Sequence, residues 1–197
     1  MKNKEIQEKR IRQYFIDAAK DMLRGEGLRS VSVRSVADRA GYSFATLYNY
    51  FRDINDLLFL CVSDFQEECN AYVAGRTKDM VPGKDRLKKA VLSYAEYFTE
   101  YPGTFELFFT ARGIDLGNRP GTLDVINSSL ITACRSDLDY CISHHILSEK
   151  STGEKMHALQ SMLTGMLLHY LNRMYPSSYA EFMQSVAGNT EMVLQAD

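Results

Sequence analysis

Three observations predict an all-α protein of about nine helices. Apolar residues recur at i, i+3, i+4 and i+7 along most of the 197 residues. Glycine, proline and helix-capping residues interrupt those stretches at helix-length intervals. No segment shows the sustained apolar–polar alternation between turns that marks a strand.

The first helix is expected from about Glu5 to Arg24, where Ile11, Tyr14, Phe15, Ala18, Ala19, Met22 and Leu23 form one apolar face and Gly25 and Gly27 bracket the end. Two short helices follow within Ser32 to Phe51. In the first, Val33, Val36, Ala37 and Ala40 keep helical spacing, with Ser32 as cap. Gly41 permits a tight reversal, and Ser43 is a good cap for the next helix. There Leu47 and Phe51 can face inward, leaving Phe44, Ala45, Thr46, Tyr48, Asn49 and Tyr50 outward. Asp53, with Asp56 three residues on, caps a fourth helix carrying Leu57, Leu58, Cys61, Val62, Phe65, Cys69 and Tyr72.

A linker-like break is expected over Gly75 to Asp85, then a fifth helix with Leu87, Ala90, Val91, Tyr94, Ala95, Phe98 and Tyr101. Pro102-Gly103 starts a short aromatic sixth helix, and Gly113 to Gly121 reads as a loop. The seventh helix is expected over Thr122 to Leu147, the eighth over Thr152 to Tyr175 and the ninth from Ser178 to Leu194. The eighth is apolar over more than one face, since Met162 and Leu168 widen the stripe of Met156, Leu159, Leu163, Met166, Leu167, Tyr170, Leu171 and Met174. Such girth reads either as a second interface or as deep burial.

Two short helices joined by a glycine turn, the second with a polar outer face, make a helix-turn-helix suited to a DNA major groove. On pattern alone the motif also reads as a corner of a helical protein. The residues Ser32, Val33, Val36, Ala37, Ala40-Gly41, Ser43, Thr46-Leu47-Tyr48, Tyr50-Phe51 and Leu57-Leu58 resemble the DNA-binding signature of the tetracycline-repressor (TetR/AcrR) family, over residues of about 8–68. The resemblance implies a DNA-binding domain at 1–68 and an effector-binding, dimerising domain at 69–197. It implies a repressor that binds a palindromic operator as a homodimer through its last two helices and is released by a small molecule. By the same resemblance Thr46, Tyr48 and Tyr50 donate hydroxyls to phosphates, and Ala45 and Asn49 face base edges. Arg34 reaches a base or phosphate, and Ser32 and Ser43 are caps that also meet phosphate. The family commonly has a Lys where this chain has Ile54, so Arg52 is the expected substitute. The ordinary structural readings are a Tyr48 packed beneath the motif and a merely solvated Arg34.

Charge distribution agrees mildly with that reading. Residues 1–60 hold 11 Lys/Arg against 8 Asp/Glu, whereas residues 61–197 hold 12 against 17, within a net charge of −2. No run has the roughly 18 apolar residues a membrane helix needs, and the charged start MKNKEIQEKR lacks a secretion core. The expectation is a cytoplasmic protein without a membrane partner. Cys61, Cys69, Cys134 and Cys141 are too few and too scattered for a disulfide scaffold.

Tyr94, Phe98, Phe105, Phe108, Phe109, Met162, Met166 and Tyr170 could line an apolar pocket for a lipophilic or aromatic effector, or simply fill the core. Cys134, Cys141 and His145, spaced i, i+7 and i+11, raise a redox- or metal-sensing alternative. A helical partner-binding protein without DNA is the other. No phosphate loop, nucleophile elbow or paired-histidine zinc motif is present in the sequence, so no enzyme and no cofactor are expected.

Overall fold

The computed structural model describes residues 2–111 and 120–195, with side chains described over 4–111 and 121–195. Among these, every regular element is helical: α1 (Lys2–Glu26), α2 (Val33–Ala40), α3 (Phe44–Tyr48), α4 (Ile54–Thr77), α5 (Lys84–Glu100), α6 (Pro102–Phe105), α7 (Pro120–Asn127), α8 (Ser129–Ala133), α9 (Arg135–Ser143), α10 (Glu149–Leu171) and α11 (Tyr179–Gln195). A 3-10 turn, Leu28–Ser30, follows α1, and a π-helical turn, Glu106–Thr110, follows α6. The loop expected over 113–121 lies, except for its last two residues, outside the described residues. The helices form two compact units: Met1–Phe65 with Tyr101–Ile126, and Gln66–Glu100 with Asn127–Asp197.

The first unit is built around Phe15. Its ring meets Tyr42 at 5.4 Å, Tyr50 at 6.1 Å and Phe51 edge-on at 6.1 Å. Ala19 and Leu23 of α1, Val36 and Ala37 of α2, Leu47 of α3 and Leu57, Leu58, Cys61 and Val62 of α4 complete the buried interior. Isolated helices as short as α2 and α3 are unstable in water, so this burial is what holds them. Lys20 ties α1 to α4 through Asp64 at 3.1 Å. Tyr14, expected in the core, is instead exposed and stacks on Tyr42 at 6.4 Å. Tyr42 takes the neighbouring place against Phe15, and Ile16, outside the expected stripe, is buried.

In the same unit the segment after Tyr101 fastens the end of α1. A Cβ on Gly103 would overlap the Leu23 carbonyl oxygen, so only glycine allows this approach. The Glu106 carboxylate accepts the Leu28 N–H at 3.1 Å, just after Gly27 turns the chain at φ 80°.

The second unit holds Tyr94 and Phe98 of α5, fully buried with rings 5.0 Å apart, and Leu130, Leu138, Leu159, Leu163, Leu167, Phe182 and Val186 around them. The helices of this unit depart from expectation in two places. The break expected from Gly75 begins later, because α4 continues through Gly75 to Thr77, whose hydroxyl bonds the Val73 carbonyl at 3.0 Å. The single seventh helix is three pieces, interrupted at Ser128 and Cys134. A buried polar network supports the first interruption: the Leu130 N–H donates to Gln160 Oε1 at 3.2 Å, and Gln66 Nε2 donates to the Ser129 carbonyl at 3.2 Å. The Tyr94 and Ser129 hydroxyls pair at 2.7 Å. Side chains distant in sequence thus satisfy backbone groups that a continuous helix would have paired internally.

Candidate nucleic-acid interface

The local chemistry of the turn fixes its geometry. Ser32 and Ser35 form a reciprocal box at the start of α2, the Ser35 N–H donating to Ser32 Oγ at 3.1 Å and the Ser32 N–H to Ser35 Oγ at 2.9 Å. Gly41 ends α2 at φ 78°, a left-handed conformation that a side chain rarely adopts. Its N–H reaches the Asp38 carbonyl at 3.1 Å, and the Tyr42 N–H reaches Ala37 at 2.9 Å. Ser43 then caps α3, accepting the Thr46 N–H at 3.1 Å, and the two hydroxyls pair at 2.9 Å. Tighter turns carry the chain on to Phe51, whose N–H bonds the Leu47 carbonyl at 3.0 Å.

Leu47 is the buried residue of α3. With that anchor inward, Ala45, Tyr48 and Asn49 are exposed, Tyr48 by 53%. Tyr48 therefore does not pack beneath the motif. Ser32, Arg34, Ser43 and Arg52 are exposed as well, while Thr46 and Tyr50 are half-buried. The expected contact residues thus lie on α2, α3 and the turn after it, and none is sealed in the core.

Arg52 lies just before α4, where Asp53 and Asp56 cap the helix. The Asp56 N–H donates to Asp53 Oδ1 at 2.9 Å, and Asp56 Oδ2 accepts the Arg52 N–H at 2.8 Å. The Arg52 guanidinium is 3.7 Å from Asp56 Oδ1, yet its side chain is 77% exposed. An exposed pair at that distance is weak, so phosphate can compete for the cation. On α2, Arg39 is engaged with Glu26.

The expected set omits three residues that the structure brings to this surface. Phe44, the first residue of α3, is 53% exposed. Lys9 and Arg12 of α1 share a groove with Glu5, Glu8, Asn49 and Tyr50, and the Arg12 guanidinium lies over the Phe51 ring at 5.6 Å. Phe44 was readable as an outward apolar residue from its spacing. Lys9 and Arg12 carried no such signal, because the face of α1 next to Asn49 is set by tertiary packing.

The expected effector residues are distributed. Tyr94 and Phe98 are interior to the second unit, and burial raises the Tyr94 hydroxyl well above its usual titration range. Tyr170 is half-buried and stacks on Phe182 at 4.4 Å. Met162 and Met166 line an open groove of about 350 Å³ between α10 and α11, with Gly165, His169, Ser185 and Asn189. Phe105 is buried in the first unit and meets the half-buried Phe109 at 5.3 Å.

The stripe expected for Cys134, Cys141 and His145 is not formed. Cys134 is the break between α8 and α9, while His145 lies beyond α9, exposed and at φ 58°. Burial, followed by the nearby Asp137 carboxylate, raises both thiols, so both are protonated at neutral pH. Among the described residues no group of three or more His, Cys, Asp or Glu is placed to hold a metal.

Residues 15–61 match the sequence profile of the bacterial regulatory proteins of the tetR family. No curated protein matches the chain in sequence. Solved structures share its fold. A fatty acid degradation regulator, FadR, from Bacillus halodurans superposes with a TM-score of 0.71 at 12% identity, over 94% of this chain and 95% of that one. A TetR family transcription regulator from Marinobacter aquaeolei gives 0.63 at 16% identity, over 98% and 97%. The TetR family transcriptional regulator PfmR from Thermus thermophilus gives 0.60 at 18% identity, over 92% and 97%. Residues 15–61 are thus similar to the tetR family of bacterial regulatory proteins, and the fold is shared over nearly the whole chain with solved transcriptional regulators.

Proposed function

We propose that the protein is a ligand-responsive repressor that binds a palindromic operator as a homodimer and leaves it when a small molecule binds. The observation that carries the reading is α3 itself, capped by Ser43, anchored by buried Leu47 and with Tyr48 and Asn49 exposed. Ser32, Ser43, Thr46, Tyr48, Tyr50 and Arg52 would take phosphate oxygens and fix register. Asn49 would pair with adenine, Arg34 with guanine or phosphate, and Ala45 would lie against a base edge. Each good base contact discriminates by about 1–3 kcal/mol. One head of this size therefore needs a second, one or more helical turns away, to select a site.

Support for the dimer comes from the end of the chain. Leu168 of α10, Met174 and Tyr175 just after it, and Tyr179 and Met192 of α11 are all large apolar residues exposed in the single chain. If these helices pair with their copies, Met162 and Met166 lie near that interface. Tyr94, Phe98 and Tyr170 then remain, in the second unit, the aromatic residues against which a lipophilic or aromatic effector would bind. Such an effector must prefer the DNA-incompetent conformation, since equal affinity for both shifts nothing. No helix of the described residues is long and apolar enough to cross a membrane.

Gel shift against the DNA upstream of the protein's own gene, run with sedimentation of the free protein, tests the reading. A shifted band that survives non-specific competitor, from a protein sedimenting as a dimer at micromolar concentration, is expected. Binding that the competitor abolishes, or a monomer, would contradict it.

A further inference from the structure

The exposed surface of α3 is largely apolar. Of its five residues, Leu47 is buried and Thr46 is half-buried, with its hydroxyl and N–H both tied to Ser43. What faces outward is Phe44, Ala45 and the ring of Tyr48, with the Asn49 amide at the end. A single exposed aromatic is ordinary on a protein surface. Three neighbouring residues on the face that enters the groove are a different matter. Burying this face against the bare hydrogen-bonding edges of G·C pairs would strip water from donors and acceptors and give nothing back. Within the major groove only one base offers an apolar group, the C5-methyl of thymine.

We infer that Phe44 is a specificity-determining residue that reads thymine by packing its ring on the 5-methyl group. Ala45 and Tyr48 supply the rest of an apolar strip, and Asn49 marks the polar end. The inference deepens the DNA-binding reading and rests on it. Its surface is continuous with the residues that cap and flank α3, and its occupant is duplex DNA rather than a protein. The operator half-site is accordingly expected to contain a thymine opposite the first residue of α3, with an adenine near Asn49.

The test uses the full-length protein and the tightest duplex it selects from a random-sequence pool. Each thymine of that duplex is replaced singly by deoxyuridine, which removes the methyl and leaves every hydrogen-bonding group in place. Affinity is measured by fluorescence anisotropy for the wild type and for Phe44→Ala. At one or two positions per half-site, uracil should weaken wild-type binding about fourfold, the effect of leaving one methyl unburied. The same replacement should have no effect on Phe44→Ala, the signature of a coupled pair. Wild-type binding indifferent to every uracil, or an equal weakening in Phe44→Ala, would overturn the inference and leave DNA binding intact. A pool that yields no preferred duplex would instead remove the DNA-reading proposal on which it rests.

Discussion

Arg52 is a cation on loan. Its guanidinium stands 3.7 Å from Asp56 Oδ1 while most of the side chain is in solvent, and Ile54 stands where the family resemblance leads one to expect a lysine. If it meets a phosphate, Arg52→Ala should weaken binding to all duplexes alike. It should also lower the slope of log affinity against log salt by about 1; an unchanged slope would show that the residue stays with Asp56. Cys61 makes a second prediction at this scale. Burial first, and the Asp64 carboxylate second, push its thiol up to about 12 from an ordinary 9.0. The folded protein therefore keeps this proton at pH values where the unfolded chain releases it. Stability from this group is present below pH 9 and declines as pH rises through the window, by about 1.4 kcal/mol per pH unit. Melting curves at successive pH values should show a shallower alkaline decline for Cys61→Ala than for the wild type. Parallel declines would refute the linkage.

At the scale of elements, two kinds of chemistry shape the helices. Ser32, Ser43 and Asp53 cap α2, α3 and α4 by bonds spanning three residues, and Gly41 turns the chain with its own φ of 78°. Such features are decided within a few residues, which is why the helix-turn-helix was legible in the sequence. The division of the expected seventh helix was not. It depends on Gln66, Tyr94 and Gln160, which come from three other helices to meet Ser129 and Leu130. Tyr14 was misplaced for the same reason, since periodicity could not reveal that Tyr42 would occupy the space beside Phe15. The spread of Tyr94, Phe98, Phe105, Phe109, Met162, Met166 and Tyr170 over core and groove was likewise beyond a pattern that records residue type and spacing alone. Gln160→Leu tests the network: it strands the buried Leu130 N–H and should lower stability by about 1–3 kcal/mol. Denaturant unfolding at an unchanged midpoint would mean α8 is held by packing alone.

For the whole molecule, the proposed function divides the labour within one helical chain. On the proposed reading, the first unit would carry the duplex-binding surface on α2, α3 and the turn before α4, and the exposed apolar residues of α10 and α11 would receive a second copy. Dimerisation would double a small set of contacts into a selective one, and an effector would act by changing how the two heads are presented. All of this presupposes that the outward face of α3 is what meets DNA. The most direct measurement is the affinity of the doubly substituted Tyr48→Ala/Asn49→Ala protein for the selected duplex, by anisotropy. Both residues are exposed, so its melting temperature should match the wild type. Its specific affinity should fall at least about tenfold, since a good base contact is worth roughly 1–3 kcal/mol. A folded variant that binds the same duplex as tightly and as selectively as the wild type would contradict the account.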